Sequence, residues 1–301
     1  MIAQQQDPLP ADPPAPETKT AFPKASSPPD LTPDKNGKLS QQQMQQLLRV
    51  VADKDMQNDR LLRNYTYVER EVDTELDGKG RKKSTKERTY DILEIYGEQV
   101  QRLTEKDDKP LSDKEAAKEE EKVQKLIDKR KNESENDRKK REDKAEKERE
   151  EGREFIRDVA DAYNFTLEGT ENVGGREAWV IDGEPRTGFV PHAKDAQYLT
   201  KFHGRVWIDK RDLQLSKLDV ECLDTISWGL FLARFHKGSR FMLEQTRVND
   251  EVWLPLHLTA KVDARLALLK NIDVNVEQSY RDYKKFRATA RVVGVIDPQQ
   301  K

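Results

Sequence analysis

The sequence predicts a mainly β protein of the α+β class: one strongly curved antiparallel sheet, interrupted by a long charged helical insertion. Three observations predict it. From residue 164 onward the chain alternates apolar and polar residues, the period of strands buried on one face and wet on the other. Several of these runs are far longer than the usual strand of about five or six residues, which argues for strong curvature. The charge is localised: of the 50 residues from 105 to 154, 36 are charged, against 37% for the whole chain of 301.

Residues 1–38 hold nine of the fourteen prolines and almost no aliphatic side chains. Such a stretch buries too little apolar surface to offset ordering entropy, so it is expected to be a disordered tether. Ser40 and Gln43 have capping-box spacing, and Met44, Leu47, Leu48 and Val51 follow on one helical stripe, predicting a helix to about Leu62. The period then shortens. Tyr65, Tyr67, Val68 and Val72 lie in a β-prone run that turns at Asp77-Gly78-Lys79-Gly80 and returns through Tyr90, Ile92 and Ile95. A third strand is expected at about 99–104.

The charged block opens with a second capping box, Ser112-Asp113-Lys114-Glu115. Glu121/Lys125, Asp137/Arg141 and Asp143/Lys147 are opposite charges one helical turn apart. Val123, Leu126 and Ile127 make a short apolar patch, but between 128 and 151 only Ala145 is apolar, too little for a coiled-coil seam. The block at 105–151 is expected to be a solvated single helix or helical hairpin that frays in the middle. Phe155, Ile156, Val159, Ala160 and Tyr163 restore amphipathicity and are expected to pack on the core.

Strands at 165–171 and 176–182 flank a Gly174-Gly175 turn, a tight-hairpin pattern. A long loop is expected at 183–200, then strands at 203–209 and 213–222. Phe235, Phe241 and Leu243 alternate with polar residues up to the Asn249-Asp250 turn. Beyond it Val252, Leu254, Leu256, Leu258, Ala260, Val262, Ala264 and Leu266 are expected to hold one face. Trp253, Pro255, His257, Thr259, Lys261, Asp263 and Arg265 then fall on the other. Ile272, Val274, Val276 and Tyr280 repeat the pattern opposite Asn271, Asp273, Asn275, Glu277 and Arg281, and a final strand is expected at about 288–295.

Composition excludes several function classes. Lysine and arginine total 55 against 57 acids, a net charge of −2, so the basic excess of a nucleic-acid binder is missing. Cys222 is the only cysteine, which excludes an intrachain disulfide; it reads as a small core hydrophobe. No apolar run reaches the ~18 residues of a transmembrane segment. Met1-Ile2-Ala3, leading into glutamines and prolines, resembles the start of a mature chain after signal-peptidase cleavage. Export to the periplasm or cell envelope is therefore expected, with the leader absent from this sequence; a cytoplasmic protein with a disordered N-terminus is the alternative.

Geometry leaves two outcomes for the apolar face. Roughly ten strands with five inward residues each present on the order of 1,600 Å² of sheet, whereas the first helix covers about 300 Å² and the 155–163 helix about half that. Either the sheet curls until it closes on itself, or an apolar hollow remains for a ligand.

Gly204-Arg205-Val206-Trp207-Ile208-Asp209-Lys210, followed by Leu215 and Leu218, resembles the G-x-v-W-I-D…L-x-x-L strand pair of bacterial LolA-like outer-membrane lipoprotein-sorting proteins. The order of elements is similar over roughly residues 40–296, which is taken as one β-domain. The resemblance implies an unclosed β-barrel with helices in its concave face, located in the periplasm and able to hold acyl chains. The charged arm departs from the family pattern, and the loop at 228–231 matches no defined gating element.

His192, His203, His236 and His257 form no metal-ligand spacing, and no nucleophile elbow, P-loop or dinucleotide fingerprint occurs, so neither an enzyme, a metal nor a cofactor is expected. The candidate ligand-binding face comprises Phe241, Leu243, Leu254, Leu256, Leu258, Ile272, Val274 and Val276. Trp228 and Phe231 stand at its rim, as a flap, as a membrane-touching tip or as a core loop tucked under the sheet. The expected function is non-enzymatic binding of a lipid, a lipoprotein acyl chain or another apolar ligand. The alternative is an envelope interaction protein with a fully packed β-domain, whose charged arm takes a protein partner. An envelope-stress sensor of apolar ligands would combine the two.

Overall fold

Ser40 stands in extended backbone and its hydroxyl accepts from the Gln43 N–H at 3.2 Å, while the Gln43 carboxamide accepts from the Ser40 N–H at 2.9 Å. This reciprocal cap starts α1 (Gln41–Leu62) where the sequence places it. Met44, Leu47 and Val51 recur at helical spacing and are buried. The computed structural model describes residues 30–32, 34, 35, 39–228, 233–266 and 270–285. The expected tether lies almost wholly outside these residues, as does the strand expected at 288–295.

Three strands follow α1 as a meander: β1 (Tyr65–Leu76), β2 (Lys82–Ile95) and β3 (Glu98–Lys106), with the short β4 (Lys109–Pro110) at its edge. Next come α2 (Asp113–Lys131) and α3 (Glu135–Ala162), then β5 (Tyr163–Val173) and β6 (Arg176–Pro185). Their hairpin turns on Gly174 and Gly175, both at positive φ (57° and 84°), a backbone that glycine adopts freely. A 3-10 helix (Lys194–Lys201) occupies part of the expected loop. The run closes with β7 (Phe202–Asp209), β8 (Leu215–Cys222), β9 (Ile226–Trp228), β10 (Ala233–Phe235), β11 (Arg240–Val248), β12 (Val252–Leu266) and β13 (Lys270–Lys285).

All thirteen strands join one antiparallel sheet in the order β4-β3-β2-β1-β13-β12-β11-β8-β7-β6-β5, with β10 beside β12 and β9 beside β10. Among the described residues β4 and β5 are its two ends and do not pair, so the strongly curved sheet is not closed. The last described strand, β13, lies between β1 and β12, welding the N-terminal meander to the C-terminal run.

The main core lies under the β5–β8 half. Leu47 and Val51 of α1, Ala162 of α3, Ile181, Leu199 and Ile208 are all buried there, with Phe155 and Val159 packed against them. Each buried leucine, isoleucine or valine among them stabilises the fold by about 1.5–3 kcal/mol relative to exposure. Gly183 faces Gly204 across β6 and β7, and the Phe165 ring lies so close that a Cβ on Gly183 would meet it at 3.3 Å. Cys222 is buried, as expected, and burial pushes its thiol pKa up.

The charged insertion is two helices broken at residues 132–134, and its corner is anchored. Arg130 pairs with Glu98 at the start of β3 (2.8 Å) and with Glu133 (3.3 Å), while Arg141 reaches Glu133 (3.0 Å) and Glu98 (3.3 Å). Arg130 and Glu133 are only 13% and 10% exposed, so this network is far from the loose surface pairs of a free arm. Val123 of α2 is buried against the meander.

One expectation fails within β12. The register against β11 shifts between Glu244 and Gln245, so that Glu244 pairs with His257 and Gln245 with Pro255, leaving Leu256 as an extra residue. A bulge of this kind resets the alternation. Val252 and Leu254 therefore do not share a face with Leu258, Ala260, Val262 and Ala264. Trp253, expected on the wet face, is 5% exposed; its indole N–H donates to Asp212 and Arg176 stacks over its ring.

Candidate functional site

Directly opposed residues of antiparallel strands point to the same side of a sheet. One such row crosses nine strands: Leu167, Ile181, Val206, Leu218, Leu243, Leu258, Gln278, Glu71 and Arg88. Its face is the concave one that carries the helices, because Ile181 lies in the core beneath α1. On the same face, the Gln245 side chain hydrogen-bonds Asp55 of α1. A neighbouring row runs Val220, Phe241, Ala260, Val276, Asp73 and Lys86. A third joins Val262, Val274, Glu75 and Ser84, and a fourth Phe235, Ala264 and Ile272.

The concave face thus has three zones. At the β5–β7 end its side chains are packed under α1 and α3. From β8 to β13 it is an apolar strip that the helices leave partly open: Leu218, Val220, Leu243, Leu258, Val262, Val274 and Val276 are half-buried and Phe241 is 36% exposed. From Gln278 onward it is charged.

Of the residues singled out in the sequence, Phe241, Leu243, Leu258, Ile272, Val274 and Val276 come together on this strip. Leu254 does not: it sits opposite Thr246, 1% exposed, packed with Tyr65 and Val252. Leu256 is the bulge residue and is 44% exposed. Trp228 ends the short β9 and pairs through its backbone with Ala233; Phe231 lies outside the described residues.

The sequence reading misses the charged zone. In β1 the apolar side chains draw the eye to Val68 and Val72, yet beside Tyr65 the buried residue is Glu69, 6% exposed. Gln278 is the border post. Its carbonyl accepts from the Tyr280 hydroxyl at 2.8 Å, which turns its amide N–H₂ toward Glu71 (3.0 Å) and Glu69 (3.5 Å). Gln101 adds a second amide to Glu69 at 3.3 Å, and Arg88 pairs with Glu71 at 2.6 Å and with Asp73. Burial, then the neighbouring Glu71 charge, raise the Glu69 pKa against the Gln101 hydrogen bond. The Tyr67 hydroxyl is pushed up to about 12 by burial and by Glu69. The Tyr67 ring lies 6.1 Å from that of Tyr280 and 5.0 Å from that of Tyr283. The alternation of Glu69, Glu71 and Asp73 along β1 was the available signal.

A cavity of about 520 Å³ opens between this zone and α2, lined by Tyr67, Glu69, Ile92, residues 98–101, Lys122 and Leu126. It continues the concave face beyond the apolar strip.

Several solved structures match most of the chain at low sequence identity. A domain assigned to outer membrane lipoprotein sorting, from Vibrio parahaemolyticus, matches over 77% of this chain and 92% of its own at 11% identity and a TM-score of 0.30. A LolA superfamily protein from Nitrosomonas europaea matches over 81% and 94% at 8% identity and a TM-score of 0.30. A DUF1329 family protein from Desulfovibrio piger matches over 80% and 93% at 10% identity and a TM-score of 0.29. No family model matches the chain, and no curated protein does.

Each histidine has an acidic neighbour: His192 with Asp158 (2.7 Å), His203 with Asp182 (2.8 Å), His236 with Asp263 (2.7 Å) and His257 with Glu277 (3.2 Å). Asp182, Glu184 and His203 bring donor atoms within 4.8 Å of one another, and Arg205 also holds Asp182 at 2.8 Å. Among the described residues no helix is long and apolar enough to cross a membrane.

Proposed function

We propose that the protein is a cell-envelope binding protein that takes up a lipid, a lipoprotein acyl chain or another apolar ligand on its concave face and releases it unchanged. One observation carries this reading. Rows that are apolar across β8, β11, β12 and β13 remain half-buried in a chain that packs its aliphatic residues tightly elsewhere. Apolar surface left partly in water inside a preformed hollow is the ordinary chemistry of a lipid or acyl-chain site. Phe241, Leu243, Leu258, Ile272, Val274 and Val276 would line it. Lipoproteins, which give the Vibrio domain its description, are one member of that ligand class.

Retention of the ligand needs no acid–base pair and no nucleophile, and the reading assigns none. The β-domain of residues 40–296 would act as one unit, with the α2–α3 insertion as a cover over its meander end. The rival reading, an interaction protein with a fully packed sheet, is disfavoured by the same half-open strip.

Native mass spectrometry of protein purified from an envelope extract tests the proposal. Co-purifying masses that lipid extraction removes are the expected result. A bare protein that also refuses added fatty acid and phospholipid would overturn it.

A further inference from the structure

We propose that the cavity beneath α2 is a binding site for an organic ammonium group, with Glu69 as its counter-charge. The inference deepens the reading above, on which it rests only for the apolar tail such a ligand would carry.

Glu69 is 94% removed from solvent, by its 6% exposure, yet it forms part of the wall of a cavity of about 520 Å³. Among the described residues no lysine or arginine pairs with it. Its partners are two amides, Gln101 at 3.3 Å and Gln278 at 3.5 Å, both long for hydrogen bonds to a carboxylate. The cations nearby are committed elsewhere. Arg88 is held by Glu71 and Asp73, Arg102 by Asp91, and Lys122 of the cavity wall turns to Glu119 at 3.3 Å with most of its side chain in water. A buried carboxylate without a cation is costly, and an entering positive charge removes that cost.

The wall beside Glu69 also suits a cation. Tyr67 lines the cavity, backed by the Tyr280 and Tyr283 rings. Aromatic faces next to an acid attract alkylammonium groups through the ring quadrupole. The position decides the ligand class. Glu69 is the cross-strand partner of Tyr280, two residues along β13 from Gln278, and Gln278 opposes Leu258 of the apolar strip. A ligand with its tail along the strip would bring its head to Glu69, so the class is an amphiphile with a cationic head. A free small amine shares the head chemistry.

Calorimetric titration with decyltrimethylammonium, 1-decanol, decanoate and tetramethylammonium, each below its micellar concentration, tests this on the full chain. The trimethylammonium amphiphile is expected to bind about tenfold tighter than the alcohol, and Glu69→Gln to abolish most of that preference. Tyr67→Leu, a second variant with an independent wall residue, is expected to reduce it too. Far-UV circular dichroism of both variants identifies any that fail to fold. Equal affinity for all three decyl ligands would overturn the ammonium site while leaving the apolar-ligand reading intact. A preference that survives both substitutions would also overturn it. Tetramethylammonium bound as tightly as its decyl relative, and lost in Glu69→Gln, would support the site and count against the apolar tail. No binding by any probe would sink both readings.

Discussion

Leu258 and Gln278 face each other across the β12–β13 ladder, and the concave surface changes from apolar to charged between them. On one side the row continues to Leu243 and Leu218, on the other to Glu71 and Arg88. The hollow is therefore amphipathic along its length.

Moving that border is the direct test of the strip. Leu258→Gln extends the polar zone by one strand and is expected to weaken uptake of an apolar probe about tenfold, roughly the 1.4 kcal/mol of a lost side-chain burial. Because Leu258 is only half-buried, stability should change by about 1 kcal/mol or less. Fluorescent fatty-acid titration beside urea unfolding reads both. Unchanged uptake would remove the strip from the site.

Leu254 should behave in the opposite way. At 1% exposure, packed with Tyr65 and Val252, its replacement by alanine is expected to cost about 2–5 kcal/mol of stability. Ligand affinity, measured at a temperature where the variant is folded, should be unaffected. A specific loss of affinity would return Leu254 to the ligand face.

The His192–Asp158 contact makes a prediction about pH. Asp158, 1% exposed, accepts from the backbone N–H groups of His192 and Ala193 at 2.8 and 2.7 Å and meets the imidazole at 2.7 Å. Burial raises its pKa, but these partners outweigh burial and hold it below the usual 3.8. The same contact raises the His192 pKa above 6.5. The histidine's contribution is fully present below its unfolded pKa and is lost as pH rises through the elevated folded value. That of Asp158 is present above its unfolded pKa and is lost as pH falls through the depressed value. The gap in melting temperature between the native chain and His192→Ala should therefore be widest between about pH 4 and 6.5 and shrink above it. A gap independent of pH would show that the contact carries no charge pairing.

At the corner of the insertion, Arg130→Ala is expected to leave Glu98 and Glu133 bridged by Arg141 alone among the described residues. Hydrogen exchange should then quicken across residues 113–145 while the β5–β8 core keeps its protection. Unaltered exchange would mean that Val123 and the helix faces alone hold α2 on the meander.

Local chemistry made much of this fold legible in advance. The Ser40 box, the Gly174-Gly175 hairpin and the long one-sided strands each depend on neighbours within a few residues, and α1, the β5–β6 hairpin and the strands β11, β12 and β13 appear where expected. Six of the eight lining candidates share the concave strip for the same reason, since alternation needs only the strand itself. The two that moved, Leu254 and Leu256, lie at the β12 bulge. A bulge is a property of two strands in register, and nothing in β12 alone announces it.

By itself the sequence determined the class of the fold, the caps, the apolar stripe of α1 and the charge of the insertion, all matters of short-range pattern. Only the tertiary structure decided that β13 sits between β1 and β12, and so brings the acidic alternation of β1 against the apolar rows of the C-terminal strands. Residues such as Glu69 and Gln278 lie 209 positions apart, and the pairing that joins them is paid for by burial over the whole sheet. The border between the apolar strip and the charged end of the hollow follows from that one non-local pairing.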